Sequence, residues 1–175
     1  MTRHQAVTVG VIVERRAIDN PWKDYTYRPV AVVPGMPSME EDAGWRLIRE
    51  GEGWAHFHAA TLELELFAGE TEGYKTNLGS FHPHIYVVLA PGEEAEDEEV
   101  VPKLVTVCPY EAESYMEDSE MIVEGVPMPD ELAAWLGAFV DTHHVEETFK
   151  KRKNKKAYDP RKGGLRPRPL VETDE

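Results

Sequence analysis

Trp54-Ala55-His56-Phe57-His58-Ala59-Ala60-Thr61-Leu62-Glu63-Leu64-Glu65-Leu66-Phe67 decides the fold class. Apolar and acidic residues alternate strictly at its end, the period of a strand with one buried face. Read as one unbroken strand, Leu62, Leu64 and Leu66 share a face with Ala60, His58 and His56, and Glu63 and Glu65 face water.

Upstream, Gln5–Arg16 places Val7, Val9, Val11 and Val13 on one side. A turn at Asp19-Asn20-Pro21 separates it from a second strand over Tyr25–Val33, which stops at Pro34-Gly35. These two predict an opening hairpin, followed by a loop and a short strand at Trp45–Ile48. Downstream, Ala68-Gly69-Glu70 turns and Thr71–Leu78 is expected to pair back as a strand. Ile85–Leu89 is an uninterrupted apolar run, the mark of a strand covered on both faces. Pro91–Pro102 is acid-rich and reads as a solvated loop. Strands at Leu104–Val107 and Met121–Val126 flank a short helix at Pro109–Asp118.

Pro127-Met128-Pro129-Asp130-Glu131 is a helix start, with proline in the first turn and acids at the positive end of the dipole. Leu132, Trp135, Leu136, Phe139, Val140 and His143 then recur at helical spacing on one stripe. The expected architecture is mainly β (α+β): an antiparallel barrel or sandwich over residues 1–149, closed by one C-terminal amphipathic helix. Residues 150–175 lack apolar groups to bury and are expected to form a disordered basic tail.

Charge divides the chain sharply. Residues 1–149 hold 9 Lys and Arg against 29 Asp and Glu, whereas residues 150–169 hold ten bases and one acid. A body that acidic repels nucleic acid and anionic membrane surfaces, so neither is an expected partner of the body itself. Lys150, Lys151, Arg152, Lys153, Lys155 and Lys156 are the candidate partner-contact residues, first for an acidic surface on this chain or another and second for nucleic acid reached by the tail alone. No apolar run spans a bilayer. Met1–Gln5 lacks the layout of a secretory signal, and Cys108 is the single cysteine. The expected location is the cytoplasm.

Six of the seven histidines are paired: His56/His58, His82/His84 and His143/His144. On a strand, a His-x-His pair shares one face with about 7 Å between backbones, which suits a shared divalent metal. His56 and His58 are therefore the candidate metal ligands. The stretch Gly51-x4-His56-x-His58-x4-Glu63-x5-Gly69 resembles the first motif of the cupin family, whose barrels hold a metal with two such histidines, a Glu and a third His. Two of its spacings are one residue short, the second cupin motif is missing, and Glu63 faces away from the histidines in an unbroken strand. Cys108 ends an apolar strand and is expected to be a buried thiol. No phosphate loop, nucleophile elbow or Cys-x-x-Cys is present. No cofactor is expected, and catalytic residues stay unknown.

A wider pattern runs through Val11-Ile12-Val13-Glu14-Arg15-Arg16, Asn20-Pro21-Trp22, Arg28-Pro29-Val30, His58–Leu64, Glu70–Tyr74 and Tyr86–Leu89. It continues through Pro109-Tyr110-Glu111-Ala112, Val126–Pro129 and His143–Glu147 into the basic run. Together these resemble an uncharacterised bacterial family, over about residues 7–153, whose members are typically encoded beside molybdenum-dependent formate dehydrogenases and their maturation chaperones. The resemblance implies a non-catalytic accessory role in assembly, maturation or regulation of such an enzyme, through contact with one of its subunits or maturation factors. It transfers no active-site residues. A cupin-like metal enzyme using His56 and His58 is the competing expectation.

Overall fold

The computed structural model describes residues 2–40, 44–94 and 97–145. The tail at 150–175 and its six candidate contact residues lie outside them. Among the described residues, seven strands and three α-helices follow in order: β1 (His4–Ala17), β2 (Tyr25–Pro34), β3 (Arg46–Gly51), β4 (Trp54–Phe67), α1 (Thr71–Leu78), β5 (His84–Pro91), β6 (Val100–Thr106), α2 (Pro109–Met116), β7 (Ile122–Pro127) and α3 (Asp130–His143). Antiparallel pairing makes two sheets, β2-β1-β4-β3 and β6-β5-β7. Neither closes on itself, so the mainly β fold is a sandwich-like pair of sheets and not a barrel.

The core lies between the sheets because each offers one apolar face. Val9, Val11, Val13, Val32, Leu64 and Leu66 come from the first, and Ile85, Val87, Leu89, Val105 and Val126 from the second. Leu132, Leu136, Phe139 and Val140 of α3 join the same cluster. Trp135 sits at its rim and donates its indole N–H to Gln5 Oε1 at 2.9 Å. At about 25 cal/mol per Å² of apolar surface removed from water, this shared burial is what joins sheets to helix. The run Ile85–Leu89 is central in its sheet, and Ile85, Val87, Val88 and Leu89 are all fully buried, as the sequence predicts.

Three elements differ most from the sequence reading. Thr71–Leu78 is a helix and not a strand: Thr71, Gly73, Tyr74 and Asn77 are its buried positions, and three of them recur at a spacing of three. That burial is largely polar, so apolar alternation could not report it. Asn77 Nδ2 donates to the carbonyls of His84 and Val107 at 2.7 and 2.8 Å, and its Oδ1 accepts the His84 N–H. This side chain therefore stitches α1 to the start of β5 and the end of β6. Strand β3 runs on to Gly51, and β6 begins at Val100, inside the expected acidic loop.

Candidate functional site

The register of β4 against β1 contains the feature that governs the site. Leu64, Leu62 and Ala60 lie opposite Val7, Val9 and Val11, but His58 lies opposite Ile12, so Ala59 is an extra residue. A bulge of this kind reverses which residues face inward. Phe57 and Ala55 consequently join the inner side with Val13, while His56 and His58 turn outward. The expectation that both histidines share the face of Leu62, Leu64 and Leu66 is corrected. Glu63, opposite Thr8, stands on the same outer face as the histidines, and not on the reverse face as an unbroken strand requires.

Around His56, cross-strand neighbours on this outer face gather charge. His56 lies opposite Glu14 of β1 and Arg49 of β3, and Glu14 lies opposite Arg28 of β2. Glu14 is only 6% exposed, although it lies on the face away from the core. Its carboxylate accepts from His56 Nε2 at 3.1 Å, from both Nε and Nη2 of Arg16 at 3.3 Å, and from Arg28 Nε at 3.3 Å. Burial by itself raises the pKa of this acid, but the bonds from His56, Arg16 and Arg28 outweigh it and hold the carboxyl at about 2. Trp54 packs on His56 at 4.9 Å between ring centres and carries the Arg49 guanidinium over its face.

His58 has different surroundings. The segment after β2 crosses the sheet above it, and Gly10 makes room: a Cβ there would lie 2.5 Å from Met36 Sδ and 3.1 Å from His58 Nε2. Thr61 Oγ1 holds the segment down, accepting from Met39 N and donating to Pro37 O. His58 is 1% exposed. Its Nδ1 faces Arg46 Nη2 at 3.4 Å, and its Nε2 faces Thr61 Oγ1 at 3.3 Å. Arginine can only donate, so Nδ1 accepts and the proton sits on Nε2. Burial and the Arg46 charge both push the His58 pKa down, so the ring is neutral.

The two candidate metal ligands therefore point outward together but are both engaged. A cation at His58 would have to displace the Arg46 guanidinium from Nδ1, which carries the one ring lone pair in this tautomer. Among the described residues no three His, Cys, Asp or Glu side chains are arranged to hold a metal ion. The other histidine pairs are dispersed: His82 lies tilted against exposed Phe81, His84 is placed by Asn77 through its backbone, and His143 packs on Phe139. His144 Nδ1 meets Thr71 Oγ1 at 3.0 Å. Cys108 is a buried thiol, packed on Gly73.

On the inner side of the bulge, Trp45 packs between Tyr27 and Phe57, and Arg15 lies over the rings of Tyr25 and Phe57. A cavity of about 460 Å³ opens beside it, lined by Met39, Trp45, Ala59, Thr61, Glu98 and Pro102 among others. Burial together with Glu99 and Glu98 raises the Tyr27 hydroxyl to about 12, so it remains a donor.

The charged constellation is not legible in the sequence. Glu14, Arg28 and His56 are far apart along the chain and meet only through strand register. One signal was present: inward apolar parity is odd at Ala55 and Phe57 and even from Leu62, a change only a bulge reconciles.

No described helix is long and apolar enough to cross a membrane. No curated protein and no solved structure matches this chain. One family does, described as protein of unknown function (DUF3305), and its match covers residues 8–153, most of the chain and nearly the span over which the sequence resembles an uncharacterised family. The chain belongs to the DUF3305 family.

Proposed function

We propose that this chain is a non-catalytic, cytoplasmic accessory protein that assists the assembly, maturation or regulation of a molybdenum-dependent formate dehydrogenase by contact with one of its subunits or maturation factors. The enzyme's identity rests on the sequence resemblance, whose basis is genomic neighbourhood and therefore associational. The contact role has separate support in the outer face of the first sheet. There Glu14 pins Arg16 and Arg28 in place, yet their side chains remain 53% and 56% exposed. Fixed guanidiniums with outward N–H groups suit recognition of another protein's carboxylates.

Affinity purification of the tagged chain from its native host tests the reading. A formate dehydrogenase subunit or a neighbouring chaperone should co-purify in stoichiometric amount. Recovery of neither, under crosslinking conditions that retain transient partners, would contradict it.

The competing reading is a metal-binding enzyme using His56 and His58, favoured by the bulge that brings Glu63 to their face. Elemental analysis of untagged protein separates the two. The accessory role predicts well under one equivalent of Zn, Fe, Mn, Ni or Cu. A stoichiometric metal that disappears in the His56→Ala/His58→Ala variant would reverse the choice.

A further inference from the structure

Among the described residues, strand β3 is the outermost strand of its sheet, paired with β4 along one edge, and all six of its residues are exposed. Leu47 and Ile48 are 48% and 46% exposed. An edge of this kind presents backbone donors and acceptors to a further strand. Its side chains add a charge preference. Arg46 and Arg49 lie opposite His58 and His56, on the same face as Arg16 and Arg28. Four of the nine cations in residues 1–149 are thus gathered at one end of one sheet face. Glu63 and Glu65 lie on that face too, but toward the opposite end of β4, where Glu65 meets His4.

We propose that β3 and the adjoining arginines form a docking strip for an extended, acidic segment of a partner protein. The segment adds as a strand beside Arg46–Gly51. Its carboxylates alternate toward Arg46 and Arg49, and its apolar side chains meet Leu47 on the reverse face. Charge selects the occupant. A long polyanion such as nucleic acid would run off the four arginines onto a body carrying 29 acids, whereas a short acidic segment fits the strip alone. The inference rests on the proposed contact role and not on which enzyme supplies the segment.

The test uses the full chain and a fluorescein-labelled peptide of about ten residues alternating Glu and Val, with a Lys/Val peptide and an oligothymidylate of similar length as comparisons. Binding of the acidic peptide should be micromolar and weaken at least tenfold between about 50 and 300 mM salt, as screening shortens. It should weaken at least tenfold in Arg46→Glu/Arg49→Glu and protect the β3 amides from hydrogen exchange. Arg46→Gln/Arg49→Gln, checked by circular dichroism, provides a milder variant if charge reversal disturbs the fold. Absence of binding at millimolar peptide overturns the proposal, as does binding unchanged in both variants. Equal affinity for the Lys/Val peptide or the oligothymidylate overturns the choice of occupant, as does a dimer of the free chain that the variants dissociate. The peptide result needs no host enzyme, so it can succeed even if the dehydrogenase reading fails.

Discussion

The two halves of β4 obey different rules. From Leu62 to Leu66 the strand alternates regularly, its leucines in the core and its glutamates outside. From Trp54 to His58 the parity is reversed by one residue, and the outer face carries a buried carboxylate, two histidines and arginines from three neighbouring strands. One half holds the sandwich together, whereas the other presents chemistry at its edge. A strand divides labour in this way only if something resets its phase, and here that is Ala59.

Removing Ala59 attacks the comparison directly and should have the largest effect. Without the extra residue, either His56 and His58 enter the core or Leu62, Leu64 and Leu66 leave it. The deletion should abolish cooperative thermal unfolding or leave the protein insoluble. A melting temperature within a few degrees of wild type would mean that the bulge does not govern the register.

Replacing Glu14 with Gln should cost less, about 1–3 kcal/mol, because charge-assisted bonds to His56 and the arginines are lost while the shape is kept. The pH dependence carries the sharper signature. Glu14 ionises at about 2 when folded against 4.5 ordinarily, so the unfolded chain binds more protons in that window. Its contribution is complete above about pH 4.5 and is lost as pH falls toward 2. Denaturant melts of Glu14→Gln should therefore show a shallower acid loss than wild type below 4.5. Parallel curves would remove the charged cluster from the account.

His58 should have the smallest effect, at milder pH. Its folded pKa lies below the ordinary 6.5, so its stabilisation is present above 6.5 and declines as pH falls below that value. His58→Gln, which keeps a polar side chain under the covering segment, should flatten stability between about pH 7 and 5. A slope identical to wild type would show that folding leaves the His58 pKa unshifted, contrary to its burial beside Arg46.

Much of the regular half was legible in the sequence, and most of the irregular half was not. Val7, Val9, Val11 and Val13, the run Ile85–Leu89 and the stripe from Leu132 to Val140 read correctly because apolar periodicity is a direct record of burial. Helix α1 was hidden because Tyr74 is the one large apolar group it buries, beside Thr71, Gly73 against Cys108 and Asn77 against two carbonyls, which an apolar pattern does not report. Extra residues in β2 and β6 stand beside Pro29 and Pro102, which cannot donate to a ladder and so mark bulges, although proline alone does not say how the phase resumes. The charged site required register: Glu14 and Arg28 become neighbours only through the β1–β2 pairing, and Glu14 and His56 only through the shifted β1–β4 pairing.

The central claim, that the chain serves a formate dehydrogenase by contact through its arginine-bearing sheet edge, is tested most directly in the native host. A strain lacking the gene should be assayed for formate dehydrogenase activity with molybdate and formate supplied, and then complemented. Activity should fall in the deletion strain without a change in transcript, return with the wild-type chain, and fail to return with Arg46→Glu/Arg49→Glu accumulated to the same level. Full activity in the deletion strain would contradict the assembly role, and full rescue by the charge-reversed chain would contradict the surface assigned to it.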